Sequence, residues 1–382
     1  MVFNVGRRGG VPMSLFAQYK ARKRFVYAFR MLTERVPRIN SVFIGPTETS
    51  YVFTLPNGIN PELLHDKIFV FKQVFCENVE LTGDSKRFKL TVYRKGLPSK
   101  VTYRLADWKT GIDDMDLPFI VGRNNHGEAV AFNMAAEPHV LLTGYTGSGK
   151  SSLLRAVLTT QMLTMPPEEV RFVLGDLKRS EFGLFRNVAH VDGVYVEPAG
   201  LLLALRGVKT EMERRGGLLD KNEATHISEL ANPLPFIVVA IDEVALLRTE
   251  KESMAIIEDI SSIGRSLGVL LILSMQRADS KLMEGRLKNN LTVRISGRQS
   301  DKVNAKVAGV PGAELIKASE KGRMVYVRER PEQVQAPWLD YDEAKRLLKP
   351  LKIKSDDAVA FVEEVGTTSS PFTFGQLEEV PK

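Results

Sequence analysis

Eight consecutive residues, Gly144-Tyr145-Thr146-Gly147-Ser148-Gly149-Lys150-Ser151, constrain this chain more than any other feature. They fit GxxxxGK[ST] at every fixed position. The apolar run His139–Leu142 just before them predicts a strand, and Ser151–Leu163 just after predicts a helix. Glycines let a backbone curl so that successive N–H groups converge on one point, and a helix N-terminus adds the positive end of its dipole there. Such a loop cradles phosphates. Lys150 is expected to reach the β- and γ-phosphates of ATP, and Ser151 to hold Mg²⁺. The expected nucleotide contacts are Gly144, Tyr145, Thr146, Gly147, Ser148, Gly149, Lys150, Ser151 and Ser152.

Phosphate binding alone does not make an ATPase. Phe236–Asp242 supplies the next element, an apolar run that reads as a buried strand ending in Asp242-Glu243. Asp242 is placed to orient the Mg²⁺ shell, and Glu243 to polarise an attacking water as general base. A further run, Leu270–Met275, ends in Gln276, a polar residue suited to touch the γ-phosphate or its water. Val140–Leu142, Val170–Leu174, Phe236–Ile241 and Val269–Leu273 are separated by stretches long enough for crossover helices. That rhythm predicts an α/β fold with a mainly parallel sheet.

Upstream of about residue 118 the rhythm differs. Val52–Leu55 and Phe88–Tyr93 are rich in strand formers, Pro61–Val74 reads as helical, and Pro56-Asn57-Gly58 marks a turn. The expected organisation is a basic N-terminal arm and helix at 1–40, a small α+β domain at 41–117, a motor domain at 118–335 and a partly disordered extension at 336–382. Residues 1–13 are expected to be flexible, and a helix from Ser14 to about Arg35 carries apolar positions between basic ones. Such a helix either lies on lipid, DNA or a partner, or packs on its own protein.

Charge singles out the same arm. The net charge is +7, yet residues 1–40 hold nine Lys/Arg and one Glu, which leaves the remaining chain at −1. A basic arm on a near-neutral body suits a polyanion, although a solvated tail has the same composition. One cysteine, Cys76, excludes a disulfide framework or a cysteine-based zinc cluster. The five histidines lack metal-ligand spacing, and the Asp113, Asp114, Asp116 group lacks the glycine and terminal glutamate of a calcium loop. Trp108 and Trp338 read as packing residues. No apolar run reaches the roughly 18 residues of a transmembrane helix.

Several stretches together resemble the FtsK/SpoIIIE family of DNA-pumping ATPases, within the RecA-like HerA/FtsK group. They are His139–Lys150; Leu174–Phe182, with Leu177 where the family has Pro; Glu211-Met212-Glu213-Arg214-Arg215; Ile263–Gly268 followed by Leu273–Arg277; and Lys321–Tyr326. Gly45 to Tyr93 is similar to the small domain before the family's motor. The resemblance covers about Ser41 to Val327.

It implies a RecA-like motor domain that uses ATP and Mg²⁺ in a homo-oligomeric ring, expected to be a hexamer. Lys150, Ser151, Asp242, Glu243 and Gln276 would act within one subunit, and an arginine would come from the next. Arg265, Arg294 and Arg298 are the candidates, with Arg265 favoured. DNA, expected to be double-stranded and read without sequence preference, would thread the pore, with Lys178 or Arg179 among its contacts.

The family's membrane spans and winged-helix domain have no counterpart here, so a cytoplasmic protein is expected, recruited by a partner that can hold it at a membrane. The implied role is ATP-driven DNA translocation for transfer, segregation or replication of a mobile element. Two rivals remain: a protein-translocating ATPase of the type VII secretion kind, and an ATP-dependent DNA-binding loading factor that does not pump.

Overall fold

A computed structural model describes residues 15–353, apart from 84, 233 and 279–284. The segment 1–13, the Ser14 start of the first helix, and the tail from Lys354 lie outside the described residues. The chain divides into two compact units, Met1–Pro98 and Ser99–Lys382.

In the first unit, α1 (Leu15–Arg30) precedes strands β1 (Arg38–Ile44) and β2 (Glu48–Thr54). Short helices α2 (Glu62–Asp66) and α3 (Ile68–Val74) follow, then β3 (Val79–Gly83) and β4 (Arg87–Tyr93). The run expected as one helix from Pro61 to Val74 is therefore two, interrupted at Lys67. The strands form an antiparallel sheet in the order β1-β2-β4-β3. The first helix packs on its own sheet: Phe25 and Phe29 are fully buried against Phe53, at 5.1 Å between ring centroids in each pair. Its other face exposes Phe16, Tyr19 and Tyr27. Arg24, one cation of the basic arm, donates to the Val74 and Phe75 carbonyls at the end of α3.

The second unit opens with β5 (Val101–Thr102), α4 (Ala106–Ile112), β6 (Pro118–Arg123) and β7 (Ala129–Asn133). Next come β8 (Val140–Thr143), α5 (Lys150–Thr164), β9 (Val170–Asp176), β10 (Val191–Tyr195), α6 (Pro198–Lys221) and β11 (Phe236–Asp242). The remainder is α7 (Lys251–Ile263), β12 (Val269–Met275), α8 (Gly285–Asn290), β13 (Val293–Ser296), α9 (Lys302–Ala308), β14 (Arg323–Val327), β15 (Pro331–Gln335), β16 (Pro337–Trp338) and α10 (Tyr341–Leu348).

The division at Pro98/Ser99 differs from the 117/118 boundary expected above. Residues 101–112 belong to the second unit because β5 pairs with β16 and Trp108 is buried in that unit's core. The expected extension from 336 likewise begins as part of that core, through β16 and the buried Leu339, Ala344 and Leu348.

A ten-stranded sheet organises this unit, in the order β10-β9-β11-β12-β8-β13-β14-β15-β6-β7. Strands from β10 to β13 run parallel, and the rest are antiparallel. This is a RecA-like P-loop arrangement: β12 is inserted between the loop-bearing β8 and the Asp242-bearing β11.

Alternation explains why the central strands are apolar throughout. Val238, Ala240, Leu270 and Ile272 face one core, while Val239, Ile241, Leu271 and Leu273 face the other. Helix α5 covers the first face through Leu154 and Val157, and α6 and α7 cover the second through Leu205, Val208, Ile257 and Ile260. Each such side chain contributes roughly 1.5–3 kcal/mol through burial.

Charged residues of the 211–215 stretch are part of this packing. Arg215, fully buried, donates to Glu211 at 2.7 Å, to the Leu267 carbonyl at 2.7 Å and to the Pro235 carbonyl at 2.9 Å. It ties α6 to the segments that lead into β11 and β12.

Candidate functional site

In a parallel sheet, functional loops gather at the carboxyl ends of the strands. Here β8, β9, β11 and β12 deliver Gly144–Ser151, Lys178, Asp242-Glu243 and Gln276 to one edge. Most of the loop, with Lys178, Asp242 and Gln276, lines a cavity of about 620 Å³, within the range of small-molecule sites.

The glycine loop takes the shape its sequence requires. Gly144, Gly147 and Gly149 have φ of 140°, 80° and 101°, a region L side chains rarely adopt. Gly149 caps α5, so the helix N-terminus opens into the cavity. The loop is also pressed from outside. A Cβ on Gly149 would lie 2.8 Å from the Gly322 Cα, and one on Gly297 would lie 2.5 Å from the Ser148 Cβ. The Gly322 N–H donates to the Ser148 carbonyl at 2.8 Å, and Tyr145 N–H donates to the Arg298 carbonyl at 3.2 Å.

Lys150 Nζ lies 3.5 Å from Asp242 Oδ1, and the same oxygen accepts from the Ser274 hydroxyl at 2.9 Å. Asp242 is 4% exposed and Glu243 7%. Glu243 has φ 61°, a left-handed conformation that costs a residue with a side chain on the order of 1–3 kcal/mol. Contacts on both sides hold it there. Gln276 N–H is shared between its two oxygens at 3.2 Å each, and Lys178 Nζ pairs with Oε2. The Gln276 side chain then reaches Thr146 Oγ1. Because β12 lies between β8 and β11, Gln276 physically bridges the glycine loop and Glu243.

Lys178, one of the two candidate DNA contacts, has its ammonium on Glu243 and lines the cavity. Arg179 pairs with Glu197 on the surface at 2.8 Å. The turn that carries both forms without the family's proline because the buried Asp176 carboxylate accepts from the Ser180, Glu181 and Phe182 N–H groups.

The candidate arginines separate by place. Arg294 donates to the Leu291 and Lys288 carbonyls at 3.1 and 2.7 Å, which closes the end of α8. Arg298 follows β13 beside its own glycine loop. Arg265 is exposed in the turn before β12, at the opposite end of the strands from its own cavity.

Sequence reading missed the opposite wall of the cavity. Trp338, expected to be a packing residue, is 45% exposed and lines the cavity with Lys100, Arg155 and Gln335; Trp108 is 1% exposed, as a packing residue should be. Ser152, expected to contact nucleotide, lines the cavity too, but its hydroxyl accepts from Leu339 N–H at 2.9 Å and donates toward the Pro337 carbonyl at 3.3 Å. The signal was faint: one tryptophan between Pro337 and Leu339 in a short strand.

Comparison with known proteins agrees with this geometry. Residues 101–232 match the model of the FtsK/SpoIIIE family. The chain is 31% identical to the DNA translocase FtsK of Treponema pallidum over 269 residues, which is 65% of this chain and 33% of that protein. It is 30% identical to the DNA translocase FtsK of Borreliella burgdorferi over 265 residues, again 65% and 33%. The chain thus spans about a third of the length of the curated relatives it matches.

Among solved structures, the pCW3 conjugation coupling protein TcpA, a monomer form with ATPγS, aligns with a TM-score of 0.61 at 22% identity. That alignment covers 87% of this chain and all of the other, and it shows the fold. The cytoplasmic domain of the Thermomonospora curvata type VII secretion ATPase EccC gives 0.55 at 26% identity, over 61% and 31% of the two chains. Residues 101–232, which carry the glycine loop, are thus similar to the FtsK/SpoIIIE family, and the Asp242-Glu243 strand end and the inserted β12 complete a P-loop fold around that loop.

Proposed function

We propose that this chain is an ATP-driven DNA translocase. The observation that carries the reading is the convergence of Lys150, Asp242 and Gln276 on one cavity, with Glu243 held behind it by Lys178 and Gln276, in a chain about 30% identical to DNA translocases over 65% of its length.

In this reading Gly144–Ser152 bind the triphosphate, and Lys150 moves from Asp242 onto the β- and γ-phosphates. Ser151 and Asp242 are oxygen donors of the kind Mg²⁺ takes, and the buried, hydrogen-bonded Asp242 carboxylate suits a fixed ligand shell. The ion would neutralise charge on the phosphates. Glu243 positions and deprotonates water through a carboxylate with lone pairs to spare beyond its Lys178 and Gln276 contacts. Gln276 couples the state of the γ-phosphate to Glu243 through the Thr146 bridge.

Arg265 fits the arginine supplied in trans, since it is exposed and remote from its own cavity, and that role requires a ring, for which we propose six subunits. The basic residues of the arm at 1–40 favour DNA as the polymer moved, and we propose transfer, segregation or replication of a mobile element as its setting. Among the described residues no helix is long and apolar enough to cross a membrane.

A second reading has support of its own. The likeness to a type VII secretion ATPase, at 26% identity, suits a motor that moves protein. ATP hydrolysis measured with and without long double-stranded DNA, at low and high salt, separates the two. The proposal expects strong stimulation that falls steeply with salt and is absent in Lys150→Ala. Robust hydrolysis indifferent to DNA at every salt concentration would refute it in favour of the protein-handling motor.

A further inference from the structure

We infer that Trp338 is the stacking platform for the base of the bound nucleotide, and that the segment 336–339 is built to hold it against the phosphate loop. The inference rests on the nucleotide-site reading above and extends it to a residue outside the motifs.

The cavity has two ends. Asp242, Lys178 and Gln276 mark the one where Lys150 points, which is the β/γ end of a triphosphate bound in such a loop. Trp338 lines the same cavity beside Ser152, on the side where α5 continues away from Lys150. A nucleotide with its β- and γ-phosphates at Lys150 must direct its base away from Asp242 and Glu243, toward this other wall.

That wall offers what a base needs. The indole is 45% exposed although its strand is part of the motor core, and Lys100 Nζ lies 3.8 Å from its ring centroid. Lys100 also lines the cavity, and its flexible stem can yield the ring face to a flat aromatic group or stay beside it. Base–aromatic stacking tolerates any base because every base has a π-face.

The platform is fixed from two sides. From α5, Ser152 accepts from Leu339 N–H at 2.9 Å and Arg155 donates to the Leu339 carbonyl at 2.8 Å. From the glycine loop, the Ser148 carbonyl accepts from Gly322 N–H, and the Gly322 carbonyl accepts from Ala336 N–H, each at 2.8 Å. Two sets of bonds thus tie Trp338 to the loop that holds the phosphates, which is the support a preorganised binding group requires. A side chain placed there only for packing would be buried, as Trp108 is.

The test compares ATP with inorganic tripolyphosphate, both with Mg²⁺, by calorimetric titration of the full chain and of Trp338→Ala, Trp338→Phe and Lys150→Ala. Trp338→Ala is expected to weaken ATP about tenfold and to leave tripolyphosphate unchanged, while Trp338→Phe recovers most of the loss. Lys150→Ala should weaken both ligands. ATP should also quench the tryptophan fluorescence of the wild type, and that quench should vanish in Trp338→Phe, where Trp108 alone emits. Equal ATP affinity in wild type and Trp338→Ala would overturn the inference. Equal weakening of ATP and tripolyphosphate by Trp338→Ala would overturn it too, since the residue would then only shape the loop. A wild-type chain that bound neither ligand would remove the nucleotide site and the inference together.

Discussion

At one end of the cavity, Lys150 opens the helix after β8, Asp242 and Gln276 stand at or directly after the carboxyl ends of parallel strands, and Glu243 lies just behind them, each in a recognisable run. At the other, Lys100 stands just before β5 and Trp338 in β16, two-residue strands that are far apart in sequence and meet only when the second unit closes. The first end is chemistry set by motifs. The second is a wall assembled by tertiary pairing. The two should therefore fail differently: loss of the general base behind the first slows the chemical step, whereas damage at the second weakens only the binding of the base moiety of the nucleotide.

The largest expected effect belongs to the first end. Glu243→Gln keeps the size and hydrogen-bonding capacity of the side chain but removes the base. Hydrolysis should fall about 10²- to 10⁴-fold while ATP affinity is retained, as steady-state kinetics beside calorimetry will show. A loss of affinity as large as the loss in rate would mean that Glu243 shapes the pocket rather than serving as its base.

Below both ends lies a buried histidine that should affect them together. His139, at the start of β8, accepts from Leu271 N–H at 3.2 Å through Nδ1, and burial pushes its pKa down to about 4. The unfolded chain, with an ordinary histidine near 6.5, binds more protons between those values, so stability is full above about pH 6.5 and is lost as pH falls toward 4. His190, also depressed by burial, adds in the same direction. For His139 the linkage amounts to roughly 3 kcal/mol at most. Denaturant titrations at stepped pH should show it, and a flat profile from pH 7 to 4 would contradict the buried neutral state.

Effects at the second end are smaller and of another kind. Trp338→Ala should lower kcat/KM for ATP about tenfold and leave kcat near wild type, the pattern of lost uniform binding. Ser152→Ala removes the hydroxyl that holds Leu339, a bond worth about 1 kcal/mol, and should raise KM about fivefold with kcat unchanged. If Ser152→Ala reduced kcat instead, the two ends would not be separable.

What could be read from residues alone follows the same division. Period and punctuation place β8, β9, β11 and β12, because strands buried on both faces must be apolar at every position. Loop glycines with positive φ are equally legible, since almost no other residue fits. Long-range pairing is not. The β5–β16 ladder is two residues long, and nothing in Val101-Thr102 or Pro337-Trp338 announces its partner. For the same reason the expected boundary at 117/118 fell too late: Trp108 packs on strands that follow it in the chain. Lys178 was visible as a charge, but its pairing with Glu243 depends on the adjacency of β9 and β11.

DNA translocation itself is tested most directly by displacement of a third strand from long duplex DNA, with ATP, by wild type and by Glu243→Gln. Translocation predicts ATP-dependent displacement by the wild type and none by the variant. Hydrolysis stimulated by DNA without any displacement would contradict it and leave a DNA-dependent ATPase that loads without pumping.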